Sequence, residues 1–238
     1  IAWVEKQSGP GHRVLANPLS NLAGLYRDAG HYIEALPLSE RALAISKATI
    51  GPDHLDTATR INNLAGVYQG MGRYAEALPL YEHALRITEE IGGPEHPDTA
   101  RGLSNLAMLH VDMGQYAVAL PLIQRALVIS EATIGPNHLD TATRINNLAS
   151  LYHDMGRYTD ALPLYERALG IAEEAGGPEH PDAAWGLNNL ATLHVDMGQY
   201  AKALPLLQRA LAISETAIGP NHLDTATRIN NLAGVYQG

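Results

Sequence analysis

The residues best suited to chemistry in this 238-residue sequence are its 11 histidines and 25 acidic side chains. Imidazoles and carboxylates can serve as metal ligands and as general acids and bases. Six of the histidines recur at a fixed interval of 42 residues: His12, His54, His96, His138, His180 and His222. This interval assigns one histidine to each structural repeat, and packed helices lie about 10 Å apart. Several of these histidines therefore cannot share one ion through bonds of about 2 Å. We interpret them as hydrogen-bonding groups at the beginnings of helices.

Other patterns give no support for catalysis. The sequence contains no cysteine, which excludes disulfides, thiolate metal sites and cysteine nucleophiles. It has no H-E-x-x-H motif and no nucleophile elbow, and its glycine-rich turns lack the lysine of a phosphate-binding loop. His110 and His194 replace Tyr68 and Tyr152 of other repeats, so we interpret both as packed side chains with hydrogen-bonded tips. We predict that the protein is not an enzyme and that it uses no cofactor and no metal.

Composition narrows the class of partner. With 16 basic and 25 acidic residues the net charge is −9, and no basic cluster is present, which disfavours a nucleic-acid partner. No apolar run approaches the roughly 20 residues that cross a bilayer, and no signal peptide is visible. We therefore expect a soluble, cytoplasmic protein that does not bind membranes. The chain begins with Ile1 and finishes at Gly238 within a repeat, which suggests a piece of a longer protein.

A tandem repeat positions the periodic histidines. A Gly-Pro pair recurs every 42 residues, and the sequence DTATRINNLA occurs at 56–65, 140–149 and 224–233. The repeats that begin at Pro94 and Pro178 instead share H-P-D and, later, L-H-V-D-M-G-Q-Y. The duplicated unit is therefore an 84-residue pair of repeats. Self-similarity at such a period is typical of solenoid architectures.

The hydrophobic spacing predicts two helices in each repeat. In the second repeat the first helix covers 55–69, a glycine-containing break follows at 70–72, and the second helix covers about 74–90. Gly92-Gly93-Pro94 ends that second helix, because glycine can form a left-handed cap and proline cannot continue the helix. Each second helix also contains an interior proline: Pro37, Pro79, Pro121, Pro163 and Pro205. An interior proline removes a backbone hydrogen bond, so we hypothesise that each one bends its helix.

The spacing of small and aromatic residues resembles the tetratricopeptide repeat. The residues that carry this resemblance in the second repeat are Leu64, Ala65, Tyr68, Gly72, Tyr74, Ala77, Ala84 and Leu85. The 42-residue length, together with G-P-x-H-P-D and L-N-N-L-A, is similar to kinesin light chains and to bacterial arrays attached to signal-transduction ATPases. The resemblance implies an all-α fold: a right-handed superhelical solenoid of antiparallel helix pairs.

The resemblance also implies one array over residues 1–238. Residues 1–8 would end a preceding second helix, with Trp3 in the core. Repeats would start near residues 10, 52, 94, 136 and 178, and residues 220–238 would form the first helix of a truncated repeat.

In tetratricopeptide arrays the first helices line a concave groove, which places an asparagine-rich stripe there. The expected partner-binding asparagines are Asn62, Asn63, Asn105, Asn146, Asn147, Asn188 and Asn189. In peptide-binding tetratricopeptide domains an asparagine at the position of Asn105 holds the peptide backbone, since an amide offers a donor and an acceptor. Two alternatives remain open: the amides bridge neighbouring helices, or they were simply copied during duplication.

Charged and aromatic residues refine the expected ligand. Asp112, Asp154 and Asp196 would add negative charge to the groove. Arg101 is the only basic residue at the position where a carboxylate clamp needs one, so we expect a neutral or mildly basic peptide rather than an acidic tail. Trp185 replaces threonine, arginine or asparagine of other repeats. It would act as a binding anchor or lie over a neighbouring helix.

Together these observations predict a scaffold that binds a peptide or protein segment in its groove, as the sensor or adaptor part of a larger protein. The alternative is a structural spacer or self-assembling array with end-to-end contacts. In that case the last helix would expose Leu232, Val235 and Tyr236, since solenoids need polar terminal caps.

Overall fold

The computed structural model describes residue 9 and residues 11–237 of the chain, with side chains up to residue 236. Within these residues it contains 11 α-helices and no strand. The predicted all-α fold of antiparallel helix pairs is thus confirmed. The expectations for Trp3 and for residues 1–8 fall outside the described residues.

The helices belong to two compact units, residues 1–129 and residues 130–238. After a 3-10 turn at Arg13–Leu15, the chain forms α1 (Ala16–Asp28), α2 (Tyr32–Ile50), α3 (Leu55–Gly70), α4 (Tyr74–Ile87), α5 (Pro97–Asp112) and α6 (Tyr116–Thr133). It continues with α7 (Leu139–Asp154), α8 (Tyr158–Gly176), α9 (Pro181–Asp196), α10 (Tyr200–Ala217) and α11 (Leu223–Gln237). Odd-numbered helices are the first helices of their repeats, and even-numbered helices are the second.

A histidine caps every first helix after α1, and His12 caps the 3-10 turn that precedes α1. The Nδ1 atom of His54 accepts a hydrogen bond from the backbone N–H of Asp56 at 3.1 Å, and His138 does the same for Asp140. An acceptor at this position satisfies one of the amides that a helix N-terminus leaves free. All six periodic histidines make this bond, which confirms the helix-entry interpretation.

Glycines end the second helices. Gly51, directly after α2, has φ of +97°, and Gly93 has φ of +102°, a backbone region that other residues avoid. The second helix of the second repeat differs slightly from expectation. The α-helix α4 ends at Ile87, and the helical path continues to Gly92 as a π-turn. The five interior prolines are exposed and lie within continuous helices.

Each unit has its own apolar core. In the first unit Tyr81 packs with Leu103, Leu106 and Leu109, and in the second unit Tyr165 packs with Leu190 and Leu193. Alanines that are fully buried, such as Ala65, Ala77, Ala149 and Ala161, let neighbouring helices approach closely. The tyrosines fill the space that these small residues leave, as the sequence pattern predicts.

Candidate functional site

Asparagines connect consecutive first helices within each unit. In the first unit Asn63 Nδ2 donates to Ser20 Oγ at 3.0 Å, and Asn105 Nδ2 donates to Asn62 Oδ1 at 3.0 Å. In the second unit Asn189 donates to Asn146 at 3.2 Å, and Asn231 donates to Asn188 at 2.9 Å. Bridging between helices, one of the alternatives left open by the sequence, therefore occurs at all four places.

These bonds occupy one half of each amide. The structure shows an inter-repeat role for Asn63, Asn105 and Asn189, while their contact with a partner stays a prediction. Asn147 lies half-buried on α7. Replacing any bridging asparagine changes the contact between repeats as well as the surface offered to a partner.

The acidic residues expected in the groove lie at the exposed C-terminal ends of first helices. Asp112 accepts a hydrogen bond of 2.7 Å from Gln69 Nε2, and His153 Nε2 donates to Asp196 Oδ2 at 2.6 Å. Asp154 is exposed at the end of α7. Asp112 and Asp196 are thus each hydrogen-bonded to a side chain of the preceding first helix.

Tyrosines of the second helices support this end of the first helices. Tyr81 donates to Gln69 Oε1 at 2.7 Å, which orients the amide that contacts Asp112. Burial raises the pKa of Tyr165 to about 12, and a hydrogen bond with Ser150 lowers it in part. The Tyr165 phenol therefore remains neutral at physiological pH. Its ring contacts His153 edge to face, with centroids 6.3 Å apart.

Two clefts occur at positions that are 84 residues apart in the sequence. The first, which we name the Arg101 cleft, lies between α3, α4 and α5 and spans about 220 Å³, including space open to solvent. The second, which we name the Trp185 cleft, lies between α7, α8 and α9 and spans about 320 Å³, likewise including space open to solvent. The residues that line the Arg101 cleft are Ala58, Thr59, Asn62, Ala84, Thr88, Asp98, Arg101 and Gly102. Those that line the Trp185 cleft are Leu139, Ala142, Thr143, Asn146, Ala168, Ala172, Asp182, Trp185 and Gly186.

The two residues that break the repeat pattern border these clefts. Arg101 is exposed and pairs with Asp98 at 2.9 Å, so its charge is compensated from its own helix. Trp185 leaves 41% of its surface exposed. It also borders a third cleft of about 770 Å³, which includes Ile218 and Arg228. Trp185 is therefore an exposed aromatic wall between two cavities, and its contact with a partner stays a prediction.

Sequence reasoning missed a difference between the clefts of alternate repeats. Gly102 and Gly186 stand where other first helices carry Arg60, Arg144 and Arg228. Arg60 donates to Asn17 of the preceding first helix. Arg228 is only 6% exposed, and this burial lowers the pKa of its guanidinium group. A glycine within a helix lowers its stability by about 0.5–1 kcal/mol relative to alanine. The presence of such an unfavourable residue in two first helices was the clue available in the sequence.

The remaining candidate residues for chemistry are structural. His194 is buried and bonds Gln199 Oε1 at 3.0 Å, which confirms the packed, hydrogen-bonded interpretation for this residue. His110 is half-buried, and its Nδ1 bonds Gln115 Oε1 at 2.7 Å. Among the described residues no group of three or more His, Asp or Glu side chains is placed to hold a metal ion. In the same part of the chain no helix has the length and apolar character needed to cross a bilayer.

Comparison with known families gives one consistent result. The family model described as tetratricopeptide repeat matches residues 14–78, 59–127, 100–157, 144–216 and 183–238. A search of curated proteins finds no match.

Solved structures with similar folds include two at 26% identity. One is a Podosopora anserina protein termed a kinesin light chain, with nearly identical TPR-like repeats. The TM-score is 0.65, and the match covers 87% of this chain and 98% of that one. The other is BtubC (BKLC) from P. vanneervenii, with a TM-score of 0.69 and coverage of 92% and 87%. Aspartyl phosphate phosphatase F from Bacillus subtilis has a TM-score of 0.68 over 99% of this chain and 63% of its own. Because its identity is 17%, that likeness concerns the fold alone.

Proposed function

The chain belongs to the tetratricopeptide repeat family, whose members typically form non-enzymatic scaffolds for protein–protein interaction, and on that premise we propose that it binds an extended peptide segment along its first helices. The observation that carries this proposal is Trp185. A tryptophan that is 41% exposed forfeits much of the free energy that its burial would provide. Exposed aromatic side chains beside pockets are typical anchors of protein interfaces.

The surroundings of Trp185 support a peptide rather than a compact small molecule. Trp185 separates the cleft of about 320 Å³ from the cleft of about 770 Å³, so two cavities follow one another across consecutive first helices. An extended chain can place successive side chains into separate cavities of this kind. The half of each bridging asparagine that is not used between helices would contact the backbone of the same segment.

The charges near Trp185 agree with a neutral or mildly basic ligand. Asp182 and Asp224 border the clefts on either side of the indole. Arg228, the basic residue in the larger cleft, is buried beside Asp224. A strongly acidic peptide would meet like charges there, and like charges brought together at an interface oppose binding. We infer that the chain is the sensor or adaptor part of a larger protein.

The test uses decapeptides displayed on phage and selected on the immobilised full chain. We expect enriched peptides to lose at least tenfold in affinity when Trp185 is replaced by threonine, the residue found at the equivalent position 143. The matched control is Tyr200→Thr, because Tyr200 is also exposed, at 43%, but lies on a second helix. If no peptide is enriched, or if both variants bind like the parent, the proposal is wrong.

Self-association is a second candidate function, and the surface of α11 favours it. Leu223, Ile229 and Tyr236 are 64%, 46% and 65% exposed. The expectation that Leu232 and Val235 are also exposed is wrong, because both pack against a core that contains Ala203 and Leu207. Large exposed apolar side chains on a single helix are candidates for an interaction surface.

Light scattering over a hundredfold range of concentration tests this second candidate. We expect the apparent mass to rise with concentration and to remain that of a monomer in an Ile229→Lys variant. The chain would have no self-associating role if the apparent mass were monomeric at every concentration.

A further inference from the structure

The Trp185 cleft contains a buried amide that is only half used. Asn146 is 2% exposed and lines the cleft. Its Oδ1 atom accepts the hydrogen bond from Asn189 at 3.2 Å. Its Nδ2 atom is buried and has no hydrogen-bond partner among the described residues. Buried amide donors are nearly always paired in native proteins, so an unpaired donor on a residue that lines a cleft points to a ligand.

The bond with Asn189 fixes which part of the Asn146 amide a ligand can meet. Because Oδ1 already accepts a hydrogen bond from the next first helix, the group of this amide without any partner is the Nδ2 donor. The complementary group must therefore be an acceptor. A lysine, an arginine or a purely aliphatic side chain offers none and would leave the donor unpaired.

The other residues that line the Trp185 cleft determine which kind of acceptor group fits there. Ala142, Ala168 and Ala172 provide small apolar surfaces, and the Trp185 indole provides a flat one. Asp182 is the charged residue of the cleft, and its carboxylate can accept a hydrogen bond but repels an anion. A carboxylate guest would be opposed by Asp182, and burying its charge against a single neutral donor is unfavourable. A primary amide satisfies both groups: its carbonyl accepts from Asn146, and its NH₂ donates to Asp182.

We propose that the Trp185 cleft is a specificity pocket for a glutamine or asparagine side chain of the bound peptide. This inference rests on the proposed peptide-binding function and adds the chemistry of one anchor residue. The amide plane of the guest would lie against the indole, and its methylene groups would meet the alanines.

The Arg101 cleft provides an internal comparison. Asn62 occupies the equivalent place and likewise accepts a hydrogen bond from the next first helix, at 3.0 Å from Asn105. Its acidic residue, Asp98, is already engaged by Arg101 at 2.9 Å, and no aromatic wall is present. The cleft is also smaller, about 220 Å³ against about 320 Å³. The amide preference therefore belongs to the Trp185 cleft, and Arg101→Thr serves as the matched control.

The test starts from decapeptides enriched on the full chain by phage display. We expect these peptides to share a glutamine or asparagine at one position. Replacing that residue by glutamate or leucine in a fluorescein-labelled peptide should weaken binding at least tenfold by fluorescence anisotropy. The variant Asn146→Leu should reverse the preference, so that the leucine peptide binds better than the amide peptide. A reversal cannot arise from simple loss of folding. Asn146→Ser, which copies Ser104 of another repeat, should weaken amide binding without reversing it.

Two results would overturn the inference while leaving the proposed function intact: enriched peptides without a shared amide position, or an amide preference that Asn146→Leu leaves unchanged. A loss of the amide preference in Arg101→Thr would assign it to the other cleft and would also overturn the inference. Failure of the full chain to retain any peptide would remove the proposed function and this pocket together.

Discussion

Histidine replaces the usual N-cap residues of a helix in this protein. Serine, threonine, aspartate and asparagine commonly supply the side-chain acceptor, whereas His138 Nδ1 supplies it here, 3.1 Å from the backbone nitrogen of Asp140. We expect His138→Ala to lower the free energy of unfolding by about 1 kcal/mol. His138→Asn should retain most of that stability, because asparagine is itself an efficient cap. Chemical denaturation followed by circular dichroism measures both, and equal losses in the two variants would contradict a capping role.

Glycine positions within helices differ in the space around them. A Cβ atom at Gly70 would lie 2.2 Å from Tyr32 Cε1, whereas nothing lies within 4 Å of a Cβ at Gly24. Gly70→Ala should therefore destabilise the protein by about 1–3 kcal/mol through overpacking. Gly24→Ala should stabilise it by about 0.5–1 kcal/mol, since alanine is the better helix former. Thermal unfolding of the two variants should shift in opposite directions, and a shift of both in the same direction would disprove this account.

The predictability of single side chains depends on whether their partners are near in sequence. The histidine caps could be predicted because donor and acceptor are two residues apart. The bond from Thr141 Oγ1 to Gly135 O, at 2.7 Å, joins a helix to the preceding loop and escaped notice. The bridge from Asn105 to Asn62 spans 43 residues, so sequence reasoning left it as one of several alternatives. The half-used amide of Asn146 required the packed structure.

Second helices are connected to the preceding repeat by a recurring charged contact. Arg125 pairs with Glu89 at 2.7 Å, and Arg209 pairs with Glu173 at 2.5 Å, each pair spanning 36 residues. Each of these arginines also donates to the carbonyl of a Gly-Pro turn, Pro94 or Pro178. Arg167 and Glu131 repeat this arrangement in the second unit.

One junction carries different residues at this position. His83 and Lys47 stand where the others have arginine and glutamate, again 36 residues apart. We expect the double substitution His83→Arg with Lys47→Glu to raise the free energy of unfolding by about 0.2–1 kcal/mol, the usual range for exposed pairs. The gain should shrink in 1 M salt, where screening is strong. Each single substitution serves as a control, and a gain from either alone as large as that of the pair would exclude the ion pair as its cause.

Each second helix lacks one backbone hydrogen bond because of its interior proline. Pro79 is exposed within α4, so its replacement leaves the core unchanged. We expect Pro79→Ala to restore a backbone bond, straighten α4 and alter the rotation between adjacent repeats. A crystal structure of the variant measures the helix axes directly. Unchanged axes would show that the proline does not bend the helix.

Element boundaries were predictable where glycine and proline mark them. Pro97 begins α5, and Gly51 and Gly93 follow second helices, as their preferences for backbone conformation require. The π-turn at Thr88–Gly92 was not predictable, since the residues of this segment are compatible with a continued α-helix.

The alternation of repeats connects sequence duplication to the surface offered to a partner. Gly102 and Gly186 line the Arg101 cleft and the Trp185 cleft, whereas Arg60 and Arg228 line the clefts at the equivalent position of other repeats. Because one copy of the duplicated unit is two repeats long, the clefts lined by glycine recur with that period. The residues that line the two clefts now differ, because Arg101 in one cleft stands at the position of Trp185 in the other. This divergence, and not the repeat itself, distinguishes one binding position from another.

Removal of one duplicated unit tests whether residues 1–238 form a single array, which remains a prediction. Deletion of residues 94–177 joins Gly93 to Pro178, so the Gly-Pro turn is retained and each helix meets a neighbour of its usual type. Because solenoid stability sums over repeats and their nearest-neighbour contacts, we expect the shortened chain to fold with unchanged helicity per residue. It should unfold in one transition at a lower denaturant concentration than the parent. The deletion retains α9 with Trp185 but removes α7 and α8, the other two helices of the Trp185 cleft. Residual binding of an amide-bearing peptide would show that the helices now next to α9 can form a similar cleft. A loss of helicity in the shortened chain would show that the parent chain behaves as two independent domains. Two separate unfolding transitions in the parent, with a single transition in the shortened chain, would show the same.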